Sequence, residues 1–327
     1  MKAFITGGTG FIGANIVAAL NEQGIAARVL RRERSSLLAL EGLAYESAVG
    51  DILQSTAELA EQMAGCEWVF HVAAVSDYWR QGTDWLYKVN VEGTKNILVA
   101  ARMAGVGRLV HTSSLAAMGL PASGNLLTES NQFNLKPKQW PYGHSKHLAE
   151  IEVRRAVEEG LSAVIVNPTV VLGPRDINEI SGSIVLEVAR GLLRFSLPGG
   201  VNYVDVADVA AGHIAAAQHG IVGERYILGG VNLTHKEAIT TIGEIVGKPP
   251  PSFGVPAWIL PLAAVGVNIG RFFLGNKIPM DANQVRMSGA TLYADIRKAK
   301  EVLNLPETPF KIAVQRTYDW YNNHGYL

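Results

Sequence analysis

Eight residues near the N-terminus, Thr6-Gly7-Gly8-Thr9-Gly10-Phe11-Ile12-Gly13, constrain the fold of this chain more than any other stretch. They follow a short apolar run, Ala3–Thr6, and lead into Ile12, Ile16, Val17 and Leu20, which are apolar at helical spacing. A strand that turns through glycines straight into a helix opens a βαβ unit. Gly8, Gly10 and Gly13 satisfy Gly-x-Gly-x-x-Gly, and Gly7, Gly10 and Gly13 satisfy Gly-x-x-Gly-x-x-Gly. Glycine suits such a turn because the backbone bends tightly and its N–H groups must approach a pyrophosphate closely. The helix N-terminus adds unpaired N–H groups and a partial positive charge. The same turn could serve only to pack helix on strand, but its place between the two favours a dinucleotide. Gly7, Thr9, Gly10, Phe11, Ile12 and Gly13 are the expected phosphate-side contacts.

The pattern continues through the first half of the chain. Ala27–Leu30, Trp68–Ala74 and Arg108–Thr112 read as strands, and Trp85–Ala104 as a long periodic helix. Ala163–Leu172 is the most strand-like run of all. Continuous apolar strands separated by helices imply a parallel sheet covered on both faces, a doubly wound α/β (Rossmann) fold. Beyond Gly173 the pattern loosens. Asp205–His219 and Thr234–Val246 read as helices, the second opened by a capping box of Thr234 and Glu237. Tyr226–Leu228 between them is a short strand able to return to the main sheet. Pro249-Pro250-Pro251 cannot continue a helix and marks a linker. This divides the chain into a dinucleotide-binding domain, 1–173 with 205–229, and a smaller mixed substrate lobe, 174–204 with 230–327.

Composition removes several function classes. Lys and Arg number 29 and Asp and Glu 29, so no net basic field exists to hold a nucleic acid. The single cysteine, Cys66, excludes an internal disulfide and a multi-cysteine metal site. With an N-terminus that reads as strand and glycine turn rather than signal peptide, this points to a reducing, cytoplasmic setting. One stretch, 253–270, carries no charge over 18 residues, near the lower limit for a membrane span. It contains Pro256, Pro261 and three glycines, so no span is expected. A buried helix and a surface that meets something apolar are the two remaining readings.

The second strand selects the dinucleotide. A carboxylate there would bind a ribose 2′-hydroxyl. Val29-Leu30 instead runs into Arg31-Arg32, and guanidinium groups suit a 2′-phosphate. NADP is expected, with NAD as the alternative. Further along, Tyr142 and Lys146 lie four residues apart on one helix face, with Pro141 suited to its first turn. A nearby ammonium favours tyrosinate and would lower the phenol pKa towards one useful for proton transfer. Ser113-Ser114 ends the preceding strand, where a hydroxyl can bond a carbonyl oxygen beside the phenol.

These motifs together resemble the extended short-chain dehydrogenase/reductases of the NAD-dependent epimerase/dehydratase superfamily. The resemblance runs through TGGTGFIG at 6–13, Gly50-Asp51-Ile52, HVAA at 71–74, NVEGT at 90–94, HTSS at 111–114, YGHSK at 142–146, NPTVVLGP at 167–174 and NYVDVADVA at 202–210. Within that branch the chain is most similar to dihydroflavonol-reductase-like and hopanoid-associated sugar-epimerase-like proteins. The resemblance implies that Ser114 polarises a substrate carbonyl, Tyr142 is the general acid/base, and Lys146 holds the nicotinamide ribose and tunes Tyr142. It places Asp51 and Ile52 at the adenine, and Val72, Ala73 and Ala74 along the ribose-pyrophosphate path. Pro168, Thr169, Val170 and Val171 would pass the nicotinamide amide, and Ser183 would add a further cofactor contact. Asn90 joins the catalytic set, supporting the ribose or a proton-relay water. A homodimer built through the helix carrying Tyr142 is also what the resemblance implies.

Three functions remain. The first is an NADP-dependent reductase of a ketone or aldehyde. The second is a nucleotide-sugar epimerase using its cofactor transiently. Such enzymes often carry an Arg before the 202–210 run, where this chain has Leu197-Pro198-Gly199-Gly200-Val201; Arg175, Arg190, Arg194 or Arg225 would have to substitute. A sugar dehydratase needs an Asp-Glu pair that Ser114-Leu115-Ala116 lacks. The third, a non-catalytic NADP-binding sensor, usually loses the Tyr or Lys retained here. No metal is expected: His144 and His147 lack the third ligand zinc needs. His71 and His111 read as buried and satisfied. The substrate is a small carbonyl compound or sugar, and Trp79, Trp140, Phe195 and Trp258 hint at an apolar one.

Overall fold

The computed structural model describes residues 1–76, 82–274 and 282–327. The chain begins β1 (Lys2–Thr6), α1 (Phe11–Glu22), β2 (Ala26–Arg31), β3 (Glu46–Val49), α2 (Thr56–Met63) and β4 (Trp68–His71). It continues through α3 (Thr83–Tyr87), α4 (Gly93–Met103), β5 (Arg108–Thr112), α5 (Pro141–Glu158), β6 (Ala163–Pro168) and β7 (Val170–Leu172). Next come α6 (Ser183–Ala189), β8 (Phe195–Ser196), β9 (Gly200–Asp205), α7 (Val206–His219), β10 (Arg225–Leu228), β11 (Val231–Thr234) and α8 (His235–Val246). The rest is β12 (Phe253–Gly254), α9 (Leu260–Leu274), α10 (Ala282–Met287), β13 (Thr291–Leu292), α11 (Arg297–Leu303) and α12 (Phe310–Asn323).

Among the described residues, seven strands form one parallel sheet in the order β10-β6-β5-β4-β1-β2-β3. Side chains alternate between its faces. Ile5, Phe70, Val110 and Val164 pack under α1 and α7, while Phe4, Val69, Leu109 and Ile165 pack under α2, α4 and α5. Both faces are therefore covered, as the continuous apolar strands require. The strand order reverses between β1 and β4, and in such sheets ligands bind beyond the carboxyl ends of the strands at that point. Tyr226–Leu228 does return to the sheet, as part of β10 beside β6.

Three elements differ from the sequence reading. The strand expected over Trp68–Ala74 ends at His71, and residues 72–74 lie in the loop that follows. The run Ala163–Leu172 is two strands, not one. Thr169 bonds its N–H to Leu228 O, and the chain then leaves the large sheet so that β7 pairs with β9 in a second sheet with β11 and β13. The helix expected over Trp85–Ala104 begins at Thr83 and is interrupted by a π turn at Lys88–Glu92. That turn carries Asn90. The capping box at Thr234 and Glu237 is present.

The uncharged stretch forms part of a small cap. β12 pairs with β8, and α9 packs on α10 through Ala264, Val267, Ala282 and Val285. Its opposite face is exposed. Among the described residues no helix is long and apolar enough to cross a membrane.

Candidate active site

The glycine turn closes against the β4 end of the sheet. Gly7 has φ +68°, and a Cβ there would stand 2.6 Å from Ala73 N, so neither the conformation nor the space admits a side chain. Gly10 caps α1 without any side-chain bond, and no acidic residue lies in the helix's first turn. The N-terminal N–H groups and the positive end of the dipole are thus left to an anion. Thr6 Oγ1 accepts the N–H groups of Val72 and Ala73 at 3.2 Å each and donates to His71 Nδ1 at 2.8 Å. Thr94 gives its only proton to Asn90 O at 2.7 Å, so His71 Nε2 must donate to Thr94 Oγ1, 2.9 Å away. His71 is therefore the neutral Nε2–H tautomer. Burial agrees, pushing its pKa down to about 3.

Asn90 locks the same loop to helix α5. Its Oδ1 accepts from Val75 N at 2.7 Å, and its Nδ2 donates to Val75 O at 2.9 Å and Ser145 Oγ at 3.0 Å. Both amide protons and one oxygen lone pair are thus bound within the protein.

Helix α5 starts at Pro141 as expected, with Tyr142 half-buried and Lys146 buried on one face. Gly143 lets the helix approach the turn after Ser114, since a Cβ there would lie 2.5 Å from Ala116 O. Ser114 caps that turn, its Oγ accepting from Ala116 N at 3.2 Å. Burial raises the Tyr142 pKa, and the Ser114 side chain opposes that rise. The expected lowering by Lys146 is absent. Lys146 Nζ instead donates to Thr112 O at 2.8 Å, and burial pushes its pKa down to about 8 against the pull of Glu150.

Beneath this face lies a buried ionic network that sequence reading missed. Glu150 Oε1 accepts from Ser113 Oγ at 2.6 Å and Asn167 Nδ2 at 2.7 Å; Oε2 accepts from Arg225 at 2.8 Å and Arg154 at 3.0 Å. Arg225 also donates to Glu129 O and Asn131 O, and Asn167 to Ser114 O. One signal was available: Glu150 falls one turn beyond Lys146 on the same helix face. Asn15 was also missed; it bonds Phe11 O and Pro174 O and draws the end of β7 over α1.

The surroundings of the remaining expected residues differ. Arg31 donates to Ser47 Oγ at 2.7 Å and to two backbone carbonyls, none of them charged, and Arg32 is exposed beside it. Asp51 turns on itself to accept from Leu53 N, and Ile52 is buried against Gly93. Val72 and Ala73 are half-buried and Ala74 exposed. Pro168 ends β6, Val170 and Val171 belong to β7, and the Oγ1 of Thr169 between them is buried with no partner. Ser183 opens α6 and bonds Ile180 O.

His111 corrects its reading. Both its ring nitrogens are buried and unpaired. The His71 ring lies tilted against it, with centroids 5.3 Å apart, while Thr112, the next residue of β5, bonds His213. His144 bonds Tyr87 Oη, and His147 stacks on Phe133. Trp140 precedes α5, whereas Phe195 stacks on Phe253 and Trp258 stands on the surface of the cap. Trp79 lies outside the described residues.

Of the arginines that could grip a diphosphate, Arg225 is buried in the Glu150 network. Arg175 binds Ala39 O and Glu41 O, Arg190 binds Tyr326 O, and Arg194 binds Gly191 O within its own turn. A cavity of about 440 Å³ lies along the loop that follows the Ser114 turn, between residues 120–126 and Ala290, Thr291 and Tyr293. Among the described residues no lysine or arginine lines it.

The free helix start, the bare Gly7 cradle and the orphaned Thr169 hydroxyl fit a nicotinamide dinucleotide. Comparison with known proteins agrees. The pattern that defines the NAD dependent epimerase/dehydratase family matches residues 3–229. The chain is 40% identical to a Synechocystis protein provisionally named dihydroflavonol 4-reductase, covering 99% of this chain and 95% of that one. It resembles the solved structure of gox2253 at 34% identity and TM-score 0.86, covering 99% and 98%. It also resembles a dTDP-glucose 4,6-dehydratase from Streptomyces venezuelae solved with NAD bound, at 25% identity and TM-score 0.79, covering 100% and 98%.

Proposed function

The chain belongs to the NAD dependent epimerase/dehydratase family, and from that premise we propose that it is an NADP-dependent reductase of a ketone or an aldehyde. The observation that carries this reading is the placement of Tyr142 and buried Lys146 on one face of α5, against the turn that Ser114 caps. Bound NADPH supplies the hydride. The turn Gly7–Gly13 and the start of α1 hold the pyrophosphate, with Thr9, Phe11 and Ile12 beside it, and Arg31 and Arg32 take the 2′-phosphate. Asp51 and Ile52 face the adenine, Val72–Ala74 follow the ribose and pyrophosphate, and Thr169 turns its unpaired hydroxyl to the carboxamide between Pro168 and Val170–Val171. Ser183 adds a contact from α6.

Ser114 donates to the substrate carbonyl oxygen, polarising it. Tyr142 gives that oxygen its proton as the carbon is reduced, leaving an alcohol. Burial keeps the phenol protonated at neutral pH, which suits an acid in the reducing direction. Lys146 holds the ribose and stabilises the tyrosinate left behind. Asn90 is a positioning residue: its amide joins the 72–76 loop to α5. Exposed Val99, Met103 and Ile151 on α4 and α5 support a homodimer through that pair of helices.

The cavity and the arginines favour this over a nucleotide-sugar epimerase: among the described residues no guanidinium lines the cavity, and Arg225 is engaged by Glu150. Retention of Tyr142 and Lys146 speaks against a sensor. The test is the nucleotide released on denaturing the purified protein, followed by NADPH and NADH titration. Empty protein that takes up NADPH in preference and reduces members of a carbonyl panel supports the reading. Tightly held stoichiometric NAD, with no net consumption of NADPH by any carbonyl, overturns it in favour of an epimerase.

A further inference from the structure

Helix α9 is amphipathic by size rather than by polarity. Leu260, Ala264 and Val267 face α10 and the protein, and Leu260 Cδ1 lies where a Cβ on Gly289 would stand. Leu262, Val265, Ile269 and Phe272 recur at spacings of three and four residues and form one exposed stripe of α9, and exposed Trp258 stands in the 3-10 turn just before it. The largest are the most exposed: Phe272 is 85% accessible, Phe273 76% and Trp258 69%. Phe253, stacked on Phe195 in the adjoining ribbon, extends the same apolar surface. A water-facing helix normally places its bulk inward, and contiguous exposed apolar surface of this kind marks a contact with something apolar.

Charge identifies the occupant. The whole chain is electrically neutral. Yet the described residues 247–270 and 282–290 carry Lys248 and Arg286 and no acidic side chain. Exposed Lys138, whose carbonyl receives Asn283 of α10, and exposed Arg194, one residue before β8, add to the same rim. A second copy docked here on a two-fold axis would bring these cations against their own images. An anionic lipid surface instead meets apolar bulk with its acyl region and the cations with its headgroups. Tryptophan and phenylalanine at such a boundary are the expected residues.

We infer that this face docks the protein onto an anionic bilayer as an interfacial helix, without spanning it. The docking is independent of the reaction proposed above. The test is co-sedimentation of the full-length protein with vesicles of phosphatidylcholine mixed with phosphatidylglycerol, and with phosphatidylcholine alone. The expected result is partitioning onto the mixed vesicles that weakens as salt is raised. Phe272→Ser with Phe273→Ser should lower the partition coefficient about tenfold or more, from lost acyl burial. Lys248→Glu with Arg286→Glu should lower it about tenfold or more for mixed vesicles, from lost headgroup attraction. Circular dichroism and the unfolding midpoint verify that each variant is folded. Protein that stays free of both vesicle types overturns the inference, and a concentration-dependent dimer abolished by the Phe272 change would assign the face to a second copy. Equal binding to both vesicle types overturns its anionic part.

Discussion

Helices α5 and α9 break the same rule in opposite directions. α5 buries Ser145, Lys146 and Glu150, groups that ordinarily sit in water. α9 buries alanine and presents phenylalanine to solvent. Each inversion carries a free-energy penalty that ordinary packing would have avoided. In α5 the penalty is offset within the molecule, because every oxygen of Glu150 has two partners and Lys146 has the Thr112 carbonyl. In α9 nothing among the described residues offsets it. The difference separates a helix organised around chemistry from one organised around a surface, and substitutions on the two should behave as opposites.

The largest effect belongs to Tyr142. Tyr142→Phe keeps the ring and removes the proton, so turnover with NADPH and a carbonyl substrate should fall about a thousandfold. NADPH affinity, read by fluorescence titration, should stay within about twofold, since the phenol touches the substrate oxygen rather than the phosphates. Unchanged turnover would remove the chemistry assigned to α5.

Breaking the ionic network tests the same helix through stability. Glu150→Ala leaves Arg225 buried without its carboxylate, and should lower the unfolding free energy by about 3–5 kcal/mol. Denaturant melts measure this directly. Pairing the change with Arg225→Met should recover much of the loss, because the uncompensated charge goes with it. If Glu150→Ala melts like the parent protein, the buried pair is not what holds β10 and α5 together.

At the cofactor end the effect is smaller. Arg31→Ala with Arg32→Ala should weaken NADPH about 10- to 100-fold while changing NADH little, as two charge-assisted phosphate contacts predict. The pH profile adds a second check on α5. Lys146 with a pKa near 8 is charged below that value, so reductase kcat/KM should decline about tenfold per pH unit above it. Lys146→Arg should move that limb upward beyond pH 10 or thereabouts, since guanidinium stays protonated. A limb that stays put belongs to another group.

Legibility in the sequence followed range. The Gly7–Gly13 turn, the β2 arginines and the Tyr142–Lys146 pair were readable because each rests on residues within one turn or one strand end. The parallel order of the sheet followed from alternating strands and helices. Glu150–Arg225 was not readable: its partners stand 75 residues apart and meet only once β10 joins β6. The division of Ala163–Leu172 was hidden for a related reason, since both halves are equally apolar and only β9 and β10 decide which sheet each joins. The lowered Tyr142 pKa was a misreading of reach, because Lys146 engages Thr112. For α9 the sequence left a buried helix and an apolar contact surface both open, because both stripes are apolar; the period lies in side-chain size, which a polarity pattern does not record.

That size pattern makes the last and smallest effect the most discriminating. Phe272→Ser removes a large apolar side chain from water, not from a core, so in the absence of lipid the unfolding free energy should change by about 0.5 kcal/mol or less. Ala264→Leu, on the opposite stripe, adds bulk against Ala282 and Val285 and should cost about 1–3 kcal/mol. On α5 the order is reversed, with the buried polar positions the sensitive ones. If Phe272→Ser destabilises the protein as much as Ala264→Leu, the aromatic stripe is packed against the chain in solution. The contrast between the two helices then collapses, because α9 would be an ordinary buried helix with no face to offer a membrane.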